Sequence, residues 1–306
     1  MALPFIPSDA GLLIMQAGVV LAPRAVNQDA AIHRWLSRFR SPAWALIPVG
    51  SIVGVIFAIR YASQTANWLA ELALLAVPIL AAVALGWTSR GSRPYLAVLA
   101  IGLFLLAWRS NASLAGEAAA SILSALSCVT LGVLLGAVTP TKWLKLGILA
   151  MAAADVWLVG TDLLQKPNSI LVGAVSRAGL PQLQSETFGT VNMGYGDMFV
   201  AALLGASFAR QPRVQRTAAL LTLVFAALFD LLFIVINELP ATVPVALALV
   251  TVQIGLARRG SSRHTRRRSR AADRLASAGI AAPGSGARPS LSSAEPALGS
   301  APTKPQ

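Results

Sequence analysis

Long apolar runs dominate this chain and limit what it can fold into. Eight runs, residues 43–61, 67–87, 94–108, 116–138, 143–164, 191–209, 214–236 and 240–257, approach the ~20 residues needed to cross ~30 Å of hydrocarbon. A ninth run, residues 11–22, is short and reaches spanning length only if residues 5–10 join it. Charged residues make up 12% of the chain and the mean hydropathy is +0.67, whereas a soluble domain carries about 25% charge. The expected fold is all-α: a polytopic bundle of about nine transmembrane helices over residues 1–257. Residues 258–306 form a polybasic, Ala-, Ser-, Pro- and Gly-rich tail that reads as disordered.

The net charge of +13 does not point to nucleic acid, because the basic residues sit in the gaps between apolar runs and in the tail. Alternate loops carry Arg24, Arg34, Arg38, Arg40, Arg90, Arg93, Lys142, Lys145, Arg210, Arg213 and Arg216 on one side, and only Arg60, Arg109, Lys166 and Arg177 on the other. The excess of basic residues marks the cytoplasmic side. The C-terminus is therefore expected inside and the loop at 164–191 outside. Residues 33–40 read as a surface-lying amphipathic helix, and Arg258–Arg270 as a contact for anionic lipid headgroups. Arg outnumbers Lys 21 to 4, which suits a GC-rich genome; a bacterial cell membrane is the expected location. No basic region opens the chain, so a cleaved signal peptide is not expected. The single cysteine, Cys128, and the two histidines, His33 and His264, supply no disulfide and no zinc site; neither metal nor cofactor is expected.

Acids at membrane depth are costly and are candidates for function. Asp155, Asp197 and Asp230 lie deep within their runs, whereas Glu71, Glu117, Asp162 and Glu238 lie nearer the ends. Asp155 follows Lys145 by ten residues and Asp197 precedes Arg210 by thirteen. At 1.5 Å per residue both carboxyls fall about 15–20 Å from the cytoplasmic surface. If the two helices pack side by side, the carboxyls meet. Two carboxyls in low dielectric do not both ionise easily, so one proton is shared. The ionised partner can then take a proton from water while the protonated one polarises a peptide carbonyl. The plainer reading is that each acid only hydrogen-bonds a neighbouring helix.

Local sequence adds two features. Asp197 closes Gly194-Tyr195-Gly196-Asp197, where the glycines weaken the helix and leave room for a peptide strand; close helix packing is the structural alternative. Tyr195 either lines that groove or packs in the core. Pro240-Ala241-Thr242 opens the last run, where proline removes backbone donors. An extended segment there can pair with a substrate strand, or Pro240 simply starts a helix.

Asp155, the Gly194–Asp197 motif and Pro240-Ala241, in this order, resemble the Gly-x-Gly-Asp intramembrane aspartyl proteases, the family of presenilin and signal peptide peptidase. The resemblance implies nine spans, with the catalytic pair Asp155 and Asp197 in the sixth and seventh. It places Gly194, Tyr195, Gly196, Pro240, Ala241 and Thr242 in substrate binding. The substrates it implies are transmembrane segments or signal peptides, and the inferred orientation is that of signal peptide peptidase. The chain departs from the family at Ala154, where a tyrosine is usual, and at Thr242, where a leucine is usual. Asp230 has no counterpart in the pattern.

Other readings stay open. A serine protease of the membrane would need a histidine at depth, and a zinc protease would need His-Glu-x-x-His; neither is present. A prepilin peptidase would show a lysine soon after the aspartate, where this chain has Met198-Phe199-Val200. A proton- or cation-coupled transporter would use the intramembrane acids, Asp230 among them, and would show flux that depends on Asp230. A catalytically inactive member would bind transmembrane segments without cutting them. Substrate and oligomeric state are not legible in the sequence.

Overall fold

The computed structural model describes residues 5–25, 38–48, 50–51, 54, 64–111, 113–161, 180–234 and 240–258. The chain divides into two units, Met1–Gly255 and Leu256–Gln306. Most of the expected surface helix at 33–40, part of the run at 43–61, most of the loop at 164–191 and all but the first residue of the tail lie outside the described residues.

The described chain is mostly helical. Helix α1 (Phe5–Leu21) covers the run that looked too short to span. Its Leu12, Leu13, Val19 and Val20 are buried. Helix α2 (Gln64–Val83) ends in a π turn, Ala84–Thr88. A 3₁₀ turn, Pro94–Val98, runs into α3 (Leu99–Arg109). The side chain of Ser113 accepts from the Gly116 N–H and caps α4 (Leu114–Val138). Helix α5 (Thr141–Gly160) follows Pro140. A hairpin of β1 (Ser185–Phe188) and β2 (Val191–Gly194) leads directly into α6 (Tyr195–Phe208). Pro212 opens α7 (Pro212–Asp230) at a position where its missing N–H goes unnoticed. The last helix is α8 (Val243–Arg258).

Helix α4 is the axis of the first unit. It packs against α2, α3, α6 and β1, while α1 packs against α6 and α7. A Cβ on Gly132 would lie 2.8 Å from Ala202, and one on Gly205 would collide with the Val20 carbonyl. Small residues therefore bring α4, α6 and α1 into backbone contact. Hydroxyls face inward: Ser121, Ser124, Ser127 and Thr130 of α4 are all buried. Large apolar side chains face outward, among them Trp68, Leu72 and Leu75 of α2 and Leu99 and Ile101 of α3. Three helices, Asn67–Thr88, Leu114–Val138 and Thr141–Gly160, are long and apolar enough to cross a bilayer. This distribution marks a membrane protein.

Three runs differ from their expected form. The run at 191–209 starts as strand, because Val191–Gly194 pairs with Ser185–Phe188, and only 14 residues of it are helix. The run at 214–236 changes to a 3₁₀ turn, Leu231–Ile234, after Asp230. The run at 240–257 becomes helical only at Val243; Ala241 and Thr242 form a turn, consistent with the backbone restriction at Pro240 and Pro244.

Candidate active site

The hairpin positions Asp197, the second of the two candidate aspartates. Gly189 sits in its two-residue turn at φ 63°, a conformation that glycine accepts without strain. Glu117 Oε2 accepts the Gly189 N–H at 2.8 Å. The register pairs Phe188 with Val191 and Glu186 with Met193. By antiparallel alternation, the backbones of Ser185 and Thr187 point to one outer edge and those of Asn192 and Gly194 to the other. The β1 edge is held by α4: Ser121 donates to the Thr187 carbonyl at 3.2 Å, and Ser124 to the Leu183 carbonyl just before β1 at 3.0 Å. Asn192 and Gly194, on the β2 edge, are exposed.

Asp197 is in the first turn of α6, where its Oδ2 accepts the Gly194 N–H at 3.1 Å. That bond fixes the orientation of its carboxyl at the start of the helix. A Cβ on Gly194 would lie 3.1 Å from the same oxygen, so glycine leaves the carboxyl uncrowded. Asp155, on α5, accepts from the Thr242 hydroxyl at 2.6 Å and from the Thr242 N–H at 3.4 Å. Gln16 of α1 donates to the Ala241 carbonyl at 3.2 Å and holds the same turn. Both aspartates are partly accessible, and the Asp155 charge acts on Asp197. The three sequence elements that carried the resemblance are thus linked: Asp155 to Thr242 by hydrogen bonds, and Asp155 to Asp197 electrostatically.

The other candidates fall as follows. Gly196 lies in the first turn of α6. The Tyr195 phenol turns toward α4, 2.7 Å from Ser127 Oγ, and its ring packs against the cluster around Leu123. Asp230 lies beside Asp9 of α1, and among the described residues its Oδ2 has no hydrogen-bond partner. Ala154 is partly buried beside Asp155. Among the described residues, no group of three His, Cys, Asp or Glu side chains could hold a metal ion.

Four supporting residues went unread in the sequence: Gln16, Ser121, Ser124 and Glu186. The serines recur at helical spacing on α4, but their partners lie about 60 residues away, so spacing alone does not reveal their role. Glu186 immediately precedes Thr187-Phe188-Gly189-Thr190-Val191, whose β-forming residues around a Gly-containing pair are a hairpin signal. No family model, no curated protein and no solved structure matches this chain.

Proposed function

We propose that this chain is an intramembrane aspartyl protease that cuts transmembrane segments or signal peptides with Asp155 and Asp197. The observation that carries the reading is the link between three distant parts of the chain at one site. Asp155 is bonded to the Pro240–Thr242 turn and lies within electrostatic reach of Asp197.

The chemistry follows from the two carboxyls. One proton is held between them. The ionised carboxylate removes a proton from a water as its oxygen attacks the peptide carbon. The protonated partner donates to the carbonyl oxygen, giving a tetrahedral diol. Collapse expels the amine, which takes up a proton from the carboxyl that received it from water, while one diol hydroxyl returns its proton to the other carboxylate and leaves the carboxylic acid product. The Oδ2 atoms are anchored by Thr242 and Gly194, which fixes how the carboxyls are turned toward substrate. The departure at Thr242 gains a purpose in this reading: threonine gives Asp155 a hydroxyl donor that leucine would lack.

A substrate must be unwound before it can be cut, since a helix hides its own peptide bonds. The β2 edge at Asn192 is a template five residues from Asp197, and an extended peptide adding there meets the carboxyls. The bundle in this reading has about nine spans with the C-terminus cytoplasmic. Its basic tail contacts anionic lipid, and its substrates enter with a cytoplasmic N-terminus.

Purified full-length protein, incubated with a model signal peptide and followed by mass spectrometry, tests the proposal. Wild type is expected to give one or a few defined cuts. Asp155→Ala and Asp197→Ala are each expected to reduce the rate by about 10²-fold or more. Cleavage that survives either change sinks the reading, and absence of wild-type cleavage leaves the inactive binder.

A further inference from the structure

Glu186 is the one fully buried acid in the hairpin, at 0% exposure. Among the described residues neither of its carboxyl oxygens has a hydrogen-bond partner. Strand β1 brings it among groups that do not favour a negative charge. Helix α4 presents Cys128 and Glu117, and Glu117 is occupied by the hairpin turn. Helix α6 presents Tyr195 and Asp197, and the Asp197 charge acts on Glu186 directly. The only titratable side chain of helix α1 is Asp9, which lies beside Asp230. Strand β2 contributes Val191, Asn192, Met193 and Gly194, with no titratable side chain. No cation faces Glu186 among these groups.

An unpaired carboxylate in such surroundings is strongly disfavoured, and the neutral acid is the form that can stay buried. A leucine or methionine there would avoid the penalty altogether. A local rule broken in this way is what functional sites commonly contain. The hairpin that carries Glu186 also carries the edge at Asn192, and its last residue holds Asp197. Moving β1 out of its seat would therefore disturb both the template and the carboxyl.

We propose that Glu186 is a positioning residue: the hairpin stays seated beside Asp197 only while Glu186 holds its proton. Full burial, beside the Asp197 carboxyl and with no hydrogen-bond partner among the described residues, favours the neutral form of this carboxyl over the charged one. The sign follows directly. Above the ordinary glutamate value the unfolded or unseated hairpin releases this proton while the seated one keeps it. Seating is therefore strongest in acid and weakens as pH rises toward the folded-state value. The predicted result is an alkaline loss of activity that enters through substrate binding, since the template fails before the chemistry does.

Two measurements on the full-length protein in bilayers separate this idea from the proteolytic reading on which its activity arm rests. Hydrogen exchange of peptides covering residues 185–194, corrected for the intrinsic pH dependence, needs no catalysis. Wild type should lose protection there as pH rises while α4 stays protected. Glu186→Gln, or Glu186→Met should the amide prevent folding, should keep protection across the range. In the cleavage assay the wild-type alkaline limb should appear in KM. Glu186→Gln should move that limb upward by about one pH unit or more. Hairpin protection that is independent of pH in wild type overturns the proposal, as do coincident exchange and pH profiles for wild type and variant. Failure of wild type to cut, with the exchange result intact, would count against the protease alone.

Discussion

At the scale of single residues, the most informative is Thr242. It stands where the resemblance would have leucine, and it supplies the shortest hydrogen bond to Asp155. Thr242→Val keeps the shape and the backbone N–H but removes the hydroxyl. A hydrogen bond to a charged group contributes about 1.5–3 kcal/mol, so kcat/KM should fall about tenfold to a hundredfold. Thr242→Ser should stay within about threefold of wild type, since the hydroxyl is retained. Initial rates on one model peptide check both, and equal rates for valine and threonine would show that the bond plays no part in catalysis. Asp197 is read through its neighbours in the same way. Gly194 leaves its carboxyl uncrowded, and the Gly194 N–H fixes its Oδ2 at the start of α6.

At the scale of elements, α4 organises the site without contributing either aspartate. Its hydroxyls seat β1 and Tyr195, and its Gly132 lets α6 approach. Gly132→Val would force side-chain atoms into the Ala202 backbone, at a cost of roughly 1–3 kcal/mol or more. Gly18→Val on α1 meets open space and is the matching control. Thermal unfolding in detergent should show a lower midpoint for the first and little change for the second; equal midpoints would contradict the close crossing. This division of labour also explains what sequence could reveal. The two aspartates in apolar runs, the glycines beside Asp197 and the prolines at the start of α8 are local signals with known physical consequences, readable from the sequence alone. The hairpin was not. Val191–Gly194 is uncharged and adjoins a helical run, and four residues do not separate a strand from a helix by periodicity. Its partners on α4 are remote in sequence, as is Gln16 from Ala241, and one chain carries no record of such pairings.

At the scale of the whole molecule, the 14 helical residues of α6 cover about 21 Å, too little for the hydrocarbon alone. The four residues of β2 add about 13 Å at strand rise. Strand and helix together match about the thickness of the bilayer core, and in the proposed reading this puts Asp197 at depth with extended backbone next to it. Non-helical backbone at that depth survives only where protein or a wet cavity surrounds it. Here α1, α4 and α6 surround the hairpin. Hydroxyls inside and large apolar side chains outside complete the picture of a polar working site within an apolar shell.

The central claim is that Asp155 and Asp197 act as one proton-sharing unit. Isotope-edited infrared titration of the aspartate carboxyls, in full-length protein in bilayers, tests it most directly. Spectra of wild type, Asp155→Asn and Asp197→Asn are compared across pH. Removing either acid is predicted to shift the titration of the one that remains, because a proton held between two groups responds to both. If each aspartate titrates the same with and without the other, the carboxyls do not share a pocket, and the account is wrong.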